Sequence, residues 1–510
     1  MPTFAAVDIG ANSVRLKIAR LDRRRLKIVH EDRQVTRLGE SVFRPGGVLS
    51  PAAMADTVNV LRRFHRATQK YAVDSVRVIA TSALREAANR KIFIDWVTSA
   101  TGWRVEIISG AEEARLIHLG LISNMRITTW PLLMVDLGGG SCELTISVRG
   151  HIRETISLPL GAVRLTNEFL LHDPPRKKEL ERLGRFIEGE LGRSATRISA
   201  ARVKGAIATS GTAAALAAVA SNRYKDGRQG NEGFISARAA TQIARMLARR
   251  NLQQRSAFQG IGPRRAQIIV AGATVFAKLM ERCHLKGFRY SPLGLRDGVL
   301  AQMAADYSRS ARTSKQIDAE RWNSVIASAG HYRVDLEHAI KVRDAAVQLF
   351  DNLARLHGLP PEYREWLAAA AMLSEVGGFL NRNGRHRHTY YIISHSEILG
   401  YNPQERLIIA AIARYLGKSR PAVSDPALKA IPASDREHVV KASLLLRLAN
   451  AINLGRGRVR AVKARLHDPK VIVKIKPKRG ADVELELWAL ERERGYFREV
   501  FGRELSTEVA

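Results

Sequence analysis

Cysteine is almost absent from the chain, which has only Cys142 and Cys283 in 510 residues. Two cysteines so far apart provide neither a disulfide framework nor a zinc cluster, so disulfide-scaffold and zinc-finger classes are excluded. Long hydrophobic runs are also missing, because no apolar stretch reaches the roughly 18 residues that a transmembrane helix needs. Met1–Gly10 lacks the pattern of a secretory signal peptide. We therefore expect a cytoplasmic protein that does not span a membrane.

Acidic residues are scarce relative to basic ones, with 49 Asp and Glu against 82 Lys and Arg and a net charge of +33. Such an excess attracts polyanions, including nucleic acids, anionic lipid surfaces, polyphosphate and phosphorylated nucleotides. A generally basic proteome would produce the same balance. Charge alone therefore does not identify the ligand.

Strand and helix signals alternate through the first part of the chain. The apolar, β-branched run at Ser75–Ala80 predicts a strand, and the apolar run at Leu132–Val135 predicts a buried strand. Pro51–Lys70 has helical spacing, with Ser50 as its N-cap. This alternation indicates an α/β fold, and 510 residues allow about three or four domains.

The character of the sequence changes after about Gln302, where helical periodicity replaces most strand signals. Near the end, Val471–Lys476 and Val483–Trp488 alternate at period two and predict two strands joined by a turn at Lys478–Asp482. The expected parts are lobe I at 1–125, lobe II at 126–305, a helical domain at 315–460, and a small α+β tail at 461–510.

A self-match is the most informative feature of the sequence. Val7–Ile18 aligns without a gap with Val135–Ile146. Both copies read as a strand, a D-x-G-x-x-S turn and a second strand, with Asp8 or Asp136 before the glycines. Two copies predict two related lobes, each contributing one hairpin.

The composition of this turn suits an anion and a metal ion. Glycine permits positive φ and lets the backbone approach a ligand closely, and successive amide groups can form an anion-binding nest. A serine hydroxyl adds a donor, while an aspartate at the strand end can hold Mg²⁺ directly or through water. One such hairpin is a weak signal, whereas two facing copies would hold a phosphate and its metal from both sides.

Six motifs, of which the first is the turn of the first hairpin, follow one another along the chain. The six segments are Asp8–Ser13, Ala80–Ala87, Ile108–Arg115, Asp136–Ser141, Thr209–Thr212 and Gly294–Gly298. With these motifs the chain resembles the exopolyphosphatase/guanosine pentaphosphate phosphohydrolase (Ppx/GppA) family over nearly its whole length. The resemblance implies an α/β fold with two actin-like (ribonuclease H-like) lobes, followed by an all-α HD-type domain and a small β-containing tail. It also implies Mg²⁺ as cofactor and a homodimer.

The resemblance further implies roles for individual residues. Glu113, the second acid of Glu112-Glu113, matches a catalytic glutamate that prepares the attacking water, and Arg85 matches a ligand of the substrate phosphate. Asp136 and Glu143 match acids that hold Mg²⁺ or orient water. Outside the family, paired glutamates usually form a solvated helix face. The residues expected to bind phosphate are Asp8, Gly10, Asn12, Ser13, Gly138, Gly139, Gly140, Ser141, Ser210, Gly211 and Thr212.

The helical domain departs from the HD-type pattern. A working metal site of that type needs a His, a His-Asp pair and a later Asp. His338 matches the first His, but Ser374-Glu375 stands at the pair and Asn450 at the later Asp. Since these changes weaken a divalent-metal site, we predict that this domain is not a second hydrolase. The basic segment Arg382–His388 is either a rim along a polyanion channel or a solvated loop.

We expect an exopolyphosphatase, in which water attacks the terminal phosphate of inorganic polyphosphate and releases orthophosphate with the help of Mg²⁺. Hydrolysis of guanosine pentaphosphate (pppGpp) at the same site is the nearest alternative. A non-catalytic polyphosphate or alarmone sensor is a second alternative, against which the presence of Glu113, Asp136 and Glu143 argues. Nucleic-acid binding and phosphate transfer from polyphosphate to ADP also stay open as alternatives. The expected hydrolysis does not require nucleic acid as a partner.

Overall fold

The computed structural model describes residues 1–23, 25–125, 128–223, 233–307, 312–417, 419–422 and 424–509. It divides the chain into two compact units, Met1–Ile317 and Asp318–Ala510. Among these residues no helix combines the length and apolar character needed to cross a membrane. The predicted lobe limit at residue 126 lies outside the described residues, and the other predicted limits stay predictions.

The first sheet of unit 1 contains an antiparallel ribbon extended by two parallel strands. Its strands are β1 (Thr3–Ile9), β2 (Ser13–Asp22), β3 (Arg25–Val35), β4 (Ser75–Ala80) and β5 (Val105–Ile107). Their order is β3-β2-β1-β4-β5, with β4 parallel to β1. The accompanying helices are α1 (Pro51–Lys70), α2 (Ser82–Glu86), α3 (Arg90–Thr101) and α4 (Gly110–Ile122). The predicted helix at Pro51–Lys70 is confirmed, and the Ser50 side chain caps it by accepting from Ala53 N at 3.3 Å.

The second sheet repeats this topology. Its strands are β6 (Leu132–Leu137), β7 (Cys142–Val148), β8 (His151–Leu158), β9 (Gly205–Thr209), β10 (Phe234–Ser236) and β11 (Gly287–Tyr290). The order is β10-β11-β9-β6-β7-β8, in which β8-β7-β6-β9-β11 corresponds to the five strands of the first sheet. The repeat in sequence is therefore a repeat in fold.

Helices cover both sheets of unit 1, and the last one returns to the first sheet. They are α5 (Ala162–Phe169), α6 (Lys177–Ala200), α7 (Ser210–Arg223), α8 (Ala237–Ala248), α9 (Leu252–Ser256), α10 (Gly262–Ala266), α11 (Ile269–Arg282) and α12 (Leu295–Tyr307). Val299 and Leu300 of α12 share a buried cluster with Phe4 of β1 and Ile79 of β4. This return brings the start of α12 to the space between the two hairpins.

Helices dominate the first part of unit 2, as the sequence predicts. They are α13 (Arg312–His331), which begins in unit 1, α14 (Leu336–Asn352), α15 (Ala354–His357), α16 (Tyr363–Leu373), α17 (Arg385–His395), α18 (Pro403–Arg414), α19 (Pro426–Lys429) and α20 (Ala433–Ile452), with a 3-10 helix at Val376–Phe379. The assignment of these helices to the HD type stays a prediction.

The predicted second strand of the tail is wrong. Val483–Trp488 lies in helix α21 (Glu484–Glu491), which precedes α22 (Arg494–Phe501). The reason is burial at helical spacing: Glu486 and Leu490 are fully buried, whereas Trp488 is 54% exposed. The other predicted strand is confirmed as β13 (Lys470–Pro477), which lies between β12 (Val459–His467) and β14 (Glu504–Val509).

Candidate active site

The two duplicated hairpin turns of unit 1 lie against each other. In Gly10–Ser13 and in Gly138–Ser141 the glycine N–H donates to the serine carbonyl, at 3.2 Å and 2.9 Å respectively. A Cβ atom on Gly139 would lie 3.3 Å from the Asn12 nitrogen and 3.0 Å from the Ala11 Cβ. Glycine is therefore needed at position 139, because a side chain would push the two turns apart.

A group of three carboxylates lies beside these turns. Glu113, Asp136 and Glu143 each place a carboxylate oxygen within 4.8 Å of the others. Glu113 comes from the first turn of α4, while Asp136 and Glu143 are cross-strand partners on β6 and β7. Ser157 donates to Glu143 at 2.9 Å, and the Thr209 hydroxyl donates to Asp136. Folding of the second hairpin therefore holds two acids next to a third from another element.

This carboxylate group is electrostatically unfavourable by itself. Burial, and then the neighbouring Glu143, hold the pKa of Glu113 well above its usual value, while Arg85 opposes the shift. Burial and Asp136 raise the pKa of Glu143 to about 7. Among the described residues, no hydrogen-bond partner reaches the buried Glu143 Oε2 or Asp8 Oδ1. Because Mg²⁺ takes oxygen ligands and neutralises such a group, these residues fit a magnesium ion.

Only one glutamate of the Glu112-Glu113 pair faces this group. Glu112 forms an ion pair with the fully buried Arg115 at 2.8 Å, so it stabilises the helix interior. Glu113 instead accepts from Arg85 Nη1 at 3.3 Å, and the same nitrogen donates to the Ile108 carbonyl at 2.8 Å. Arg85 therefore fixes the position of Glu113.

Four arginines that were not among the predicted site residues line the same cavity as Glu113 and Asp136. They are Arg15, Arg33, Arg265 and Arg296. Burial, together with the charges of Arg15 and Arg265, lowers the pKa of Arg33 to about 9. Burial and Arg15 lower the pKa of Arg265 to about 10. Since no described carboxylate forms an ion pair with any of the four, their crowding favours a polyanionic ligand.

Some of these arginines did have a signal in the sequence. Arg15 occupies the place in the first hairpin that Glu143 occupies in the second, and it pairs across the strands with Asp8. Arg296 lies inside the Gly294–Gly298 motif. Arg33 follows Arg15 across the sheet, but only the strand register shows this.

The Thr209–Thr212 motif forms the start of α7. Ser210 has φ of +86°, which is uncommon for a residue with a side chain. The guanidinium of Arg265 donates to the Gly211 carbonyl. Amide groups at a helix N-terminus bind phosphate well, and strained backbone is concentrated at functional sites. The strained Ser210 at the start of α7 therefore fits a phosphate site.

Most of the predicted site residues meet in one cavity of about 250 Å³. Three of them lie behind its wall: Arg85 holds Glu113, Glu143 is buried beside Asp136, and Gly140 packs near the Phe43 ring. Those that line the cavity are Asp8, Gly10, Asn12, Ser13, Glu113, Asp136, Gly138, Gly139, Ser141, Ser210, Gly211 and Thr212.

A further arginine connects the two hairpin-bearing halves of unit 1. Arg164 of α5 donates from Nε to the Gly140 carbonyl at 2.8 Å and forms an ion pair with Glu86 of α2. Its Cζ atom lies 4.3 Å from the centroid of the Phe43 ring. We call these four residues the interlobe clasp. Glu86 adjoins Arg85, so the clasp joins the second glycine turn to the helix that holds Glu113.

The chain is similar to known proteins over most of its length. Residues 17–306 match the Ppx/GppA phosphatase family, and residues 321–494 match Ppx/GppA phosphatase, domain III. A guanosine-5'-triphosphate,3'-diphosphate pyrophosphatase of Aeromonas hydrophila is 26% identical over 81% of this chain and 80% of its own length. Exopolyphosphatase 2 of Mycobacterium tuberculosis is 29% identical over 59% of this chain and 98% of its own.

Solved structures show the same relationship. The crystal structure of an Aquifex aeolicus Ppx/GppA family member is 29% identical, has a TM-score of 0.50, and matches over 60% of this chain and 99% of its own. An exopolyphosphatase of Cytophaga hutchinsonii, 24% identical with a TM-score of 0.55, matches over 60% and 98% and shares the fold. The chain therefore belongs to the Ppx/GppA phosphatase family.

Proposed function

We propose that the chain is a phosphohydrolase acting on phosphoric anhydrides, with inorganic polyphosphate as its substrate and orthophosphate as its product. The observation that carries this proposal is one cavity lined by Asp8, Glu113, Asp136 and four arginines, with Glu143 buried directly beside Asp136. Phosphoryl transfer needs charge neutralisation around the phosphate together with an oriented nucleophile. The relative named exopolyphosphatase 2 supports this activity.

Glu113 is suited to orient the attacking water and accept its proton. Its carboxylate lies at the cavity wall, and its raised pKa makes it a stronger base than an exposed glutamate. Arg85 fixes the carboxylate, so that a water bound there has one preferred position. No side chain needs to form a covalent intermediate.

The terminal phosphate is proposed to bind between the two hairpin turns. Both turns, the N-terminus of α7 and four arginines line this cavity, so backbone amides and guanidinium groups are available to bind the phosphate oxygens. Asp136 and Glu143 are the proposed ligands of Mg²⁺. When bound, this ion would supply neutralisation of the phosphate oxygens.

Hydrolysis of pppGpp is the second candidate function. The relative named guanosine-5'-triphosphate,3'-diphosphate pyrophosphatase matches 81% of this chain, whereas exopolyphosphatase 2 matches 59%. The longer match includes much of unit 2 and favours the nucleotide. Both reactions remove a terminal phosphate and require the same site.

Orthophosphate release from each purified substrate tests both activities. The full chain is assayed with long-chain polyphosphate and with pppGpp, each with Mg²⁺ and with EDTA. We expect Glu113→Gln to lose at least about a hundredfold in rate, since general-base catalysis contributes about 10²–10⁴-fold. Exposed Glu168→Gln is the matched control. A parent without hydrolysis on either substrate would favour the sensor, and an active Glu113→Gln variant would refute this role of the site.

Other expectations from the resemblance remain proposals of the same kind. We propose that the two sheets of unit 1 belong to actin-like lobes, and that residues 315–460 are an HD-type domain without a working metal site. We also propose a cytoplasmic homodimer. Sedimentation of the purified chain tests the dimer, and a single species at the monomer mass over the micromolar range would refute it.

A further inference from the structure

A second cavity, of about 740 Å³, lies entirely within unit 2. This volume falls in the range of about 300–1,000 Å³ that small-molecule sites occupy. The loop before α14, the 3-10 helix, the start of α17 and the segment after α20 form its wall. The lining residues are Tyr332–Asp335, Glu375, Gly378–Phe379, Arg382, Arg385 and Arg456.

The acidic residues of this lining are already engaged. Asp335 forms an ion pair with Arg456 at 2.9 Å, and it also caps α14 by accepting from the His338 amide at 3.2 Å. Glu375 lies 3.9 Å from Arg385, at the limit of an ion pair. The two acids therefore offset at most two of the four arginines.

The other two arginines, Arg333 and Arg382, are exposed and have no ion pair with a described carboxylate. Arg333 has φ of +52°, in the left-handed region where glycine is the residue of lowest cost. The pocket therefore carries positive charge that no described carboxylate offsets.

The N-terminus of α17 adds to this charge. The helix has 11 residues, its N-cap is Gly384, and no described side chain caps it. Its first turn contains no acid and begins with Arg385 and Arg387 around His386. Basic residues at the positive end of a helix dipole destabilise the helix, so an anion bound there would relieve the conflict.

An aromatic ring borders the charged part of the cavity. Phe379 is 50% exposed, although it is a large apolar residue. Its ring packs on Tyr332 edge-on, with centroids 5.6 Å apart, and the Tyr332 hydroxyl is hydrogen-bonded to the Ser396 hydroxyl at 3.0 Å. A ring held in this way offers one free face, which suits stacking with a nucleobase.

We propose that this cavity binds a nucleoside polyphosphate, with the phosphates on Arg333, Arg382 and the N-terminus of α17 and with the base on Phe379. Inorganic oligophosphate shares the phosphate chemistry but gains nothing from the ring. The proposal concerns binding within unit 2 and does not depend on the hydrolytic function of the first cavity.

Hydrogen–deuterium exchange of the full chain provides a local test. GTP, guanosine and inorganic tripolyphosphate are titrated separately in EDTA, so that Mg²⁺-dependent hydrolysis does not consume GTP. We expect GTP to protect amides in residues 376–388. Arg333→Ala/Arg382→Ala should weaken this binding at least about tenfold, since two charged contacts with the phosphates are lost and solvent screens part of their strength. Arg62→Ala/Arg66→Ala, on the exposed side of α1, is the charge-matched control.

The role of the ring has its own variant. Phe379→Leu should weaken GTP about fivefold or more and leave tripolyphosphate unchanged, because base stacking is worth about 1–3 kcal/mol. Absence of protection by GTP, or equal weakening by the two arginine pairs, would overturn the site. Tripolyphosphate binding as tight as GTP, with no effect of Phe379→Leu, would overturn the nucleotide assignment.

Discussion

Removal of Arg164 tests whether the interlobe clasp positions the active site. Arg164→Ala deletes the hydrogen bond to Gly140, the contact with Phe43 and the ion pair with Glu86. The Gly140 carbonyl belongs to the second glycine turn, and Glu86 adjoins Arg85. We therefore expect the variant to fold but to hold its second glycine turn and Arg85 less accurately relative to each other.

The size of the effect follows from the three contacts. A hydrogen bond from a charged donor is worth about 1.5–3 kcal/mol, the cation–π contact about 0.5–1 kcal/mol, and the half-exposed ion pair about 0.2–1 kcal/mol. Water replaces part of each contact in the variant, so we expect the loss of transition-state stabilisation to be about 2 kcal/mol. That corresponds to about a thirtyfold loss in kcat/KM. Glu86→Gln removes only the ion pair and should cost about two- to threefold.

Steady-state orthophosphate release, with circular dichroism as the check on folding, measures this loss. Arg197→Ala is the control, because Arg197 forms a comparable ion pair with Glu154 away from the cavity. Arg164→Lys keeps the charge but not the flat guanidinium, so it should recover only part of the activity. A folded Arg164→Ala enzyme within twofold of the parent would refute the positioning role.

Three further predictions concern metal binding, packing and pH. Glu143→Gln should raise the Mg²⁺ concentration for half-maximal phosphate release at least about tenfold, because a proposed ligand loses its charge. Gly298→Ala should lower the calorimetric unfolding temperature, since the new Cβ would lie 1.7 Å from the Leu116 carbonyl oxygen and overpacking costs about 1–3 kcal/mol. Burial and Arg385 lower the pKa of His386 to about 4, so the folded state favours the neutral imidazole. The contribution of this group to folding stability is therefore complete above about pH 6.5 and is lost as the pH falls toward 4. The imidazole is only partly buried, so this effect is reduced by solvent. In His386→Gln, the fall in the free energy of unfolding by urea between pH 6.5 and pH 4 should therefore be smaller than in the parent by about 1–2 kcal/mol.

Each of these three predictions has a contradicting result. An unchanged Mg²⁺ midpoint would exclude Glu143 from the metal site. An unchanged unfolding temperature in Gly298→Ala would show that α12 can shift away from α4 at no cost. A His386→Gln variant with the parent's pH slope would assign the acid sensitivity to other groups.

The part of the site that the sequence predicts is the part formed by local repetition. Val7–Ile18 and Val135–Ile146 share their pattern, so each forms the same hairpin, and the two lobes place those hairpins face to face. The family motif predicts Glu113 as the catalytic residue, which stays a prediction; the structure places Glu113 at the cavity, whereas the carboxylate of Glu112 is engaged by Arg115.

What the sequence did not predict depends on tertiary contacts. Arg33 and Arg265 are separated by most of unit 1 and carry no motif, so only the folded chain brings them to one cavity. The strand predicted at Val483–Trp488 failed because a short segment with alternating apolar residues also fits a helix that buries one side. Which side of the segment is buried depends on its tertiary neighbours, and local periodicity gives no information about them.

The cross-strand partner of the hairpin aspartate differs between the two copies. Asp8 faces Arg15, whereas Asp136 faces Glu143. The cross-strand pair of the first hairpin therefore combines an acid with a base, whereas that of the second combines two acids, so the two hairpins share a shape but differ in charge. For a polyanionic ligand such as the proposed substrate, we therefore expect the two hairpins to play unequal parts, because only the first presents a cation beside its glycine turn.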